Sequence, residues 1–323
     1  MRWFVLLVWC LAGVAMAQPV RVAVLKFGTV SWVLDTVLHH GLAKQEGVEV
    51  RVVPLASKSA IQVAIQGGAA DMIVTDWVWV SRQRALGRDY TFAPYSTAAG
   101  AVMVDPQRGI TRLADLKGRR LGVAGGPLDK SWLLLRAYGR KTLGQDLAEI
   151  VEPTFAAPPL LNELALRKEL PAVLNYWHYA ARLKAAGMDT LISVREVLRG
   201  LGVEAPLPLV GWVFHEDWAD GHRDQVQAFL RAVAAAHRIL SGSDAEWQRL
   251  RPVIGAPDDR TLRVLREAYR AGIPPCPGEA GREAAQEVFA ILAREGGRAL
   301  VGRSSALSEG TFWTGYETAV CPQ

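Results

Sequence analysis

Beyond residue 19 the chain alternates short apolar runs with amphipathic segments whose apolar positions repeat at helical spacing. Apolar runs at residues 20–25, 48–53 and 71–74 predict three strands. The segments between them predict helices, the first capped by Ser31, and a third helix is expected to start at residues 75–76. Alternation of this kind predicts parallel strands in one sheet with helices packed against its faces.

The alternation restarts after residue 110, which indicates a second α/β unit. A strand at residues 97–104 leads out of the first unit, and an apolar segment at residues 207–214 leads back to it. The strands predicted for the second unit are residues 121–124, 149–154, 171–175 and 190–194. The chain beyond residue 221 is expected to be almost wholly helical, at residues 222–240, 244–253, 258–271 and 281–294.

Two crossings between two α/β units predict a hinge, with a ligand cleft between two lobes. We expect lobe 1 to comprise residues 18–104 and 207–323, and lobe 2 to comprise residues 105–206.

The first 17 residues differ in character from the rest of the chain. Arg2 precedes an apolar run at residues 3–12, and Ala15-Met16-Ala17 has the A-x-A form of a cleavage site before Gln18. This pattern is typical of a secretory signal peptide and is too short for a membrane span. We therefore expect residues 1–17 to be removed and the mature protein to be exported.

Composition and charge narrow the possible partners. The 323 residues are 50% hydrophobic and 21% charged, which is typical of a globular chain, and the formal charge is +5. No basic block with interleaved aromatic residues is present, so nucleic acid is not favoured as a partner. Cys276 and Cys321 remain after signal removal, and in an oxidising compartment we expect them to pair, the alternative being two free thiols.

The sequence lacks the common motifs of catalysis. It contains no G-x-S-x-G nucleophile elbow, no H-E-x-x-H and no P-loop. Its six histidines have no metal-ligand spacing, and the two mature cysteines form no C-x-x-C pair. We therefore expect no enzyme activity, no cofactor and no metal.

The ends of the predicted strands carry small polar residues and tryptophans, where ligands gather in such sheets. In the second unit Gly125 and Gly126 precede a helix that begins near residues 129–131. A strand end, a bare turn and a helix N-terminus together suit an anion or another hydrogen-bond acceptor. An ordinary strand-to-helix turn is the alternative.

The segment order resembles a known family of transport proteins. Three stretches carry the resemblance: GVEVRVVPL (residues 47–55), AIQVAIQGGAADMIVTD (residues 60–76) and ITRLADLKGRRLGVAGG (residues 110–126). Together they resemble the periplasmic substrate-binding proteins of ABC importers in the nitrate/sulfonate/taurine group. The resemblance implies the two-lobed type 2 periplasmic-binding fold, a periplasmic location, a monomer and an ABC permease in the inner membrane as partner.

The resemblance also implies that turns of both lobes contact the ligand. The expected ligand residues are Thr29, Ser31, Trp32, Ser57, Lys58, Ser59, Asp76, Trp77, Gly126, Asp129, Lys130, Ser131, Asn175, Tyr176, Trp177 and Trp212. Several have structural alternatives, since Trp32 and Trp177 suit a core, and Ser57 and Asp76 suit helix N-caps.

Asn175-Tyr176-Trp177 stands where the family commonly has an Asp-Ala pattern, which suggests a ligand bulkier than nitrate or a simple sulfonate. We expect a small organic ligand of sulfonate, carboxylate or heteroaromatic type. Two other functions remain open. One is an enzyme on the same scaffold, as in relatives of menaquinone biosynthesis. The other is an exported accessory protein without a ligand, whose cleft would be filled by its own side chains.

Overall fold

The computed structural model describes residues 18–276 and 279–321, and the expected signal peptide lies outside these residues. Within them, no helix is both long and apolar enough to cross a membrane. The strands are β1 (Val20–Leu25), β2 (Val50–Leu55), β3 (Met72–Thr75), β4 (Tyr90–Ser96), β5 (Ala101–Val104), β6 (Arg120–Ala124), β7 (Glu152–Ala156), β8 (Ala172–Asn175), β9 (Asp189–Ser193) and β10 (Val210–His215).

Helices alternate with strands up to β10, and the described residues beyond it form helices and the loops between them. They are α1 (Val30–His39), α2 (Leu42–Gln45), α3 (Lys58–Gln66), α4 (Trp77–Arg84), α5 (Lys130–Leu143), α6 (Leu147–Ile150), α7 (Pro158–Leu166), α8 (Trp177–Ala185), α9 (Val194–Leu201), α10 (Glu216–Gly221), α11 (Arg223–Gly242), α12 (Asp244–Ile254), α13 (Asp259–Arg270), α14 (Glu279–Val301) and α15 (Gly315–Val320). Short 3-10 turns lie at Pro106–Arg108 and Leu113–Leu116.

Two five-stranded sheets form two lobes, as the alternation predicted. The first has the order β2-β1-β3-β10-β4 and the second the order β7-β6-β8-β5-β9. In each sheet three neighbouring strands are parallel, and the fourth strand in the order is antiparallel to both its neighbours. These antiparallel strands, β10 and β5, are the ones that follow the two crossings between lobes.

The pairing of β5 corrects one expectation from the sequence. The apolar pattern places residues 97–104 in one strand of lobe 1, but Ala101–Val104 pairs with β8 and β9 of the second sheet. Residues 97–100 instead connect β4 to β5. A Cβ on Gly100 would collide with the carbonyl oxygen of Asn175, so this crossing needs a residue without a side chain. We therefore propose a lobe boundary within residues 97–100 in place of 104–105.

The C-terminal helices belong mainly to lobe 1 but touch lobe 2 on two sides. Helices α11, α12 and α13 pack with α1 over one face of the first sheet. Helix α13 also packs against α8 of the second lobe, while α14 packs against both α4 and α5. A disulfide joins Cys276 to Cys321, with Cα atoms 5.7 Å apart, and so links the segment before α14 to the end of α15.

Candidate functional site

The turns after β3 and β6 meet between the lobes. Asp76 follows β3, Lys130 is the first residue of α5 after β6, and the Lys130 Nζ lies 3.1 Å from the Asp76 Oδ2. Parallel strands end at the same edge of a sheet, so this ion pair shows that the carboxyl edges of the two sheets face each other. The site is built around this contact.

Asp76 divides its two carboxylate oxygens between its own helix and the cleft. Oδ1 accepts a hydrogen bond from the Trp79 backbone N–H at 2.9 Å and so caps α4. Oδ2 accepts a hydrogen bond from the Lys58 ammonium group at 3.0 Å and forms an ion pair with that of Lys130. Burial by itself would raise the pKa of Asp76, but the charges of Lys130 and Lys58 outweigh burial and hold that pKa well below its usual range.

Asp129 repeats this arrangement in the second lobe. Its Oδ1 caps α5 by accepting from the backbone N–H groups of Ser131, at 2.9 Å, and Trp132, at 3.3 Å. Among the described residues, its Oδ2 accepts a single hydrogen bond, a long one of 3.3 Å from the Tyr176 hydroxyl. Burial raises the pKa of the Asp129 carboxyl despite the opposing charge of Lys130.

Gly125 allows Asp129 and Tyr176 to approach the end of β6. Its φ is +84°, and a Cβ at this position would lie 2.5 Å from the Tyr176 hydroxyl oxygen and 2.7 Å from the Asp129 Oδ2. The neighbouring Gly126 has a φ of +101° and open space around the Cβ position. The structure therefore requires glycine at the two positions for different reasons. At Gly125 a side chain would collide with Tyr176 and Asp129, and at Gly126 the positive φ favours glycine.

The four charged side chains form one electrostatic unit with no formal net charge. The charge of Asp76 raises the pKa of Lys58, and the charge of Asp129 contributes in the same direction. Burial raises the pKa of Tyr176, and the charges of Asp129 and Asp76 raise it further, so the hydroxyl lies near both carboxylates as a neutral donor. The Lys58 side chain is 56% exposed and that of Lys130 27% exposed, so their remaining N–H donors can reach a ligand.

An aromatic contact between lobes lies at Trp177, the residue after Tyr176. The ring centroid of Trp177, the first residue of α8, is 5.7 Å from that of Trp32 in α1, with the rings edge to face. Trp177 also meets Tyr269 of α13, at 6.1 Å. Trp32 is 4% exposed. The two tryptophans expected to form flat walls for a ligand therefore pack against each other.

Three of the expected ligand residues lie inside the lobes, and we leave them out of the site. Asn175 is buried, and its side-chain amide donates to the Pro158 carbonyl and the Asn162 Oδ1, both at 2.9 Å. Trp212 is fully buried beside Phe229, with centroids 4.8 Å apart.

The third is Trp77, whose side chain is 1% exposed. Its Nε1 donates to the Pro208 carbonyl at 3.0 Å. Asn175 ends β8, Trp77 begins α4 and Trp212 lies within β10, but the side chain of each is enclosed by its own lobe.

The remaining expected residues stay on the cleft-side turns. Ser57 caps α3 by accepting from the Ala60 N–H at 3.1 Å, and its hydroxyl lies 3.0 Å from that of Ser59. The Ser31 hydroxyl donates to the Gly28 carbonyl at 2.6 Å, and Thr29 precedes α1. Capping does not exclude contact with a ligand, since a hydroxyl oxygen has two lone pairs.

Sequence reasoning missed the contribution of the C-terminal helices to the aromatic cluster. Tyr269 of α13 and Trp247 of α12 have ring centroids 6.1 Å from that of Trp32. His237 of α11 lies 6.0 Å from Tyr269, and burial lowers its pKa to about 4. These residues lie more than 200 positions from Trp32 and belong to no motif, so their helical periodicity could predict burial but not this partner.

The acidic groups of the site do not form a metal centre. Within residues 18–276 and 279–321, no three His, Cys, Asp or Glu side chains lie close enough together to hold a metal ion. The Asp76 carboxylate is instead neutralised by ammonium groups. The arrangement can hold polar groups of a ligand through lysine and tyrosine donors and through the free acceptor capacity of Asp129.

Several known structures of the same fold are named as sulfonate-binding proteins. The periplasmic aliphatic sulphonate binding protein SsuA of Escherichia coli matches with a TM-score of 0.73 at 16% identity, over 92% of each chain. A putative SsuA of Methylobacillus flagellatus matches with a TM-score of 0.70 at 15% identity, over 94% of each chain. The alkanesulfonate-binding SsuA of Xanthomonas axonopodis, solved with MOPS, matches with a TM-score of 0.68 at 17% identity, over 93% of this chain and 99% of that one.

These likenesses show the two-lobed periplasmic-binding fold. No curated protein is a significant match to the sequence. The family model described as NMT1/THI5 like matches residues 38–241, which include every charged residue of the site. The chain therefore belongs to the NMT1/THI5-like family.

Proposed function

We propose that the mature chain is the exported solute-binding component of an ABC importer, which binds a small organic ligand between its lobes and delivers it to a permease in the inner membrane. The observation that carries this proposal is the convergence of both lobes on Asp76 through Lys58 and Lys130. The structural neighbours named as sulfonate-binding proteins, one of them of a putative ABC transporter, support it.

The geometry suggests how a ligand and lobe closure are coupled. An ammonium group has three N–H donors, and Lys58 uses one of them on Asp76, to which Lys130 is joined as an ion pair. An acidic group of the ligand takes donors from lysines of both lobes and thereby favours the closed form over the open one. Ligands shift such an equilibrium only through contacts that differ between its two states, and bridging contacts between lobes meet that condition.

Tryptophan fluorescence tests the proposal, because the contact between Trp32 and Trp177 joins the lobes. The purified mature chain is titrated with sulfonates, aromatic carboxylates and pyrimidine-like compounds. We expect saturable binding for one class, and Lys58→Met weakens it roughly tenfold or more because a charged hydrogen bond is lost. Lys44→Met, at an exposed lysine of the same lobe, is the control and leaves affinity unchanged. Absence of saturable binding for all classes contradicts the proposal.

A ligand-free accessory protein is the second candidate, and one observation favours it. Trp32 and Trp177 fill part of the cleft with the chain's own side chains. In that case the lobes stay closed without any small molecule. Small-angle scattering of the chain after unfolding, dialysis and refolding separates the two. The solute-binding function predicts a larger radius of gyration in the stripped chain than in chain with ligand, and the accessory function predicts no difference.

A further inference from the structure

We propose that Gln18 is a modification site, at which the side chain closes on its own α-amino group to form a pyroglutamyl ring. The proposal rests on the export in the proposed function, since Gln18 becomes the first residue only when the chain is cut after Ala17. It concerns the side of lobe 1 away from the ligand, because β1 starts at Val20 and its other end, Leu25, leads to a cleft-side turn.

Cyclisation needs a free α-amino group on a glutamine, and removal of the signal peptide creates one. In the uncut chain the Gln18 nitrogen belongs to a peptide bond and is not nucleophilic. A free α-amino group has a pKa of about 7.7–8.0, so part of it is the neutral nucleophile near neutral pH. Its nitrogen bonds to the side-chain carbonyl carbon, the bond from that carbon to the amide nitrogen breaks, and ammonia leaves with one proton of the amine. The step consumes no second reactant.

The fold holds the backbone near Gln18 and leaves its side chain in solvent. Gln225 of α11 donates from its Nε2 to the Gln18 carbonyl oxygen at 3.2 Å. The Val20 N–H donates to the Glu49 carbonyl oxygen at 2.8 Å and so fixes the start of β1. Gln18 itself is exposed, so its side chain can reach the α-amino group without any change in the sheet.

The surroundings of Gln18 suit a neutral ring better than an ammonium group. Gln18 lines a recess of about 210 Å³ together with Asp71 and Trp218. Asp71 carries the one carboxylate among the described residues that line it, and both its oxygens accept hydrogen bonds from Arg21, at 2.6 to 3.0 Å. An ammonium group would share that carboxylate with a guanidinium, whereas the ring has no charge to compensate and can pack on the partly buried Trp218 indole.

Mass spectrometry of the chain tests the proposal. The chain is expressed in a bacterium with residues 1–17 in place, purified, held at neutral pH until its mass is constant, and reduced. We expect the mass of residues 18–323 less one ammonia. Reductive methylation of the protein before tryptic digestion labels free amines, and we expect the N-terminal peptide, residues 18–21, to carry no label.

Gln18→Ser is the matched control, because serine is also small and polar but cannot form the ring. The N-terminal peptide of this variant should have its full mass and carry the label. A Gln18 chain with its full mass and a labelled α-amine overturns the proposal and leaves the proposed function standing. Loss of ammonia from the Gln18→Ser variant, or a cut at another residue, also overturns the proposal. A chain that keeps residues 1–17 contradicts both the modification and the export on which it rests.

Discussion

Asp76 and Asp129 each serve two purposes with one carboxylate. One oxygen caps the helix that follows, and the other faces the space between the lobes. The sequence left open whether Asp76 is an N-cap or a ligand residue, and the geometry shows that the two uses are compatible. The position after a strand and before a helix predicts the cap, but the partners across the cleft come from the other lobe and have no local signal.

The sequence was less informative where a side chain turns away from the cleft. Asn175 ends β8 and Trp212 lies within β10, and both are buried among partners of their own lobe. Strand alternation predicts which face of a sheet a residue occupies but not what packs on that face. Three-dimensional neighbours such as Asn162 and Phe229 decide these positions.

His237 gives a prediction at this scale, for the dependence of stability on pH. Burial lowers its folded pKa to about 4, below the unfolded value of about 6.5. The unfolded chain therefore binds the extra proton first, so this contribution is full above pH 6.5 and falls as the pH drops toward 4. We expect a loss of about 3 kcal/mol from this one group between pH 7 and 4.

Urea unfolding at four pH values from 7 to 4 measures this contribution. His237→Gln lowers the free energy of unfolding at pH 7. Between pH 7 and 4, however, that free energy falls by about 3 kcal/mol less in the variant than in the unaltered chain. His222→Gln, at an exposed histidine, is the control and leaves the slope unchanged. If the free energy of unfolding falls equally steeply from pH 7 to 4 in His237→Gln and in the unaltered chain, His237 does not cause the pH dependence.

At the scale of elements, the apolar periodicity of the sequence predicted most strands to within a few residues but did not predict β4. β1 lies where it was expected, and β2 is shifted from residues 48–53 to Val50–Leu55. β4 was missed because Tyr90–Ser96 contains Pro94, which weakens a strand signal. The sheet to which β5 belongs could not be predicted, because its partners β8 and β9 lie some 70 to 90 residues further on.

The turn after β6 gives a prediction with an internal control. Gly125→Ala places a methyl group against the Tyr176 hydroxyl and the Asp129 Oδ2, in addition to straining a backbone with φ of +84°. Gly126→Ala imposes only the backbone strain, about 1–2 kcal/mol. Urea unfolding should therefore show a larger loss of stability for Gly125→Ala than for Gly126→Ala. Equal losses would mean that the close approach of Tyr176 and Asp129 is not needed.

The whole molecule holds its lobes together by more than the cleft. Helix α8 of lobe 2 packs on α13, and Arg182 donates to the carbonyls of Ile254, at 2.7 Å, and Gly255, at 3.0 Å, at the end of α12. On another side α14 packs on α5. The C-terminal helices thus limit the directions in which the lobes can separate.

The disulfide joins the segment before α14 to the end of α15, which leads to a prediction for the stability of the whole chain. Cys276 and Cys321 are 45 residues apart, and a loop of this length is worth about 4 kcal/mol in the chain-entropy model. Replacing both cysteines by serine should lower the free energy of unfolding by up to that amount. Urea unfolding of the oxidised chain and the double variant measures it. Equal stabilities would show that the bond contributes nothing.

Native mass spectrometry of the chain, purified without denaturation from cells that express it, tests the central claim most directly. The proposed function predicts a small-molecule adduct of one defined mass, which is lost on unfolding. Lys130→Met removes the cleft ammonium of lobe 2 and should abolish the adduct, whereas Lys141→Met, at an exposed lysine of the same helix, should retain it. Absence of any adduct, or one that survives Lys130→Met, would contradict binding between the lobes.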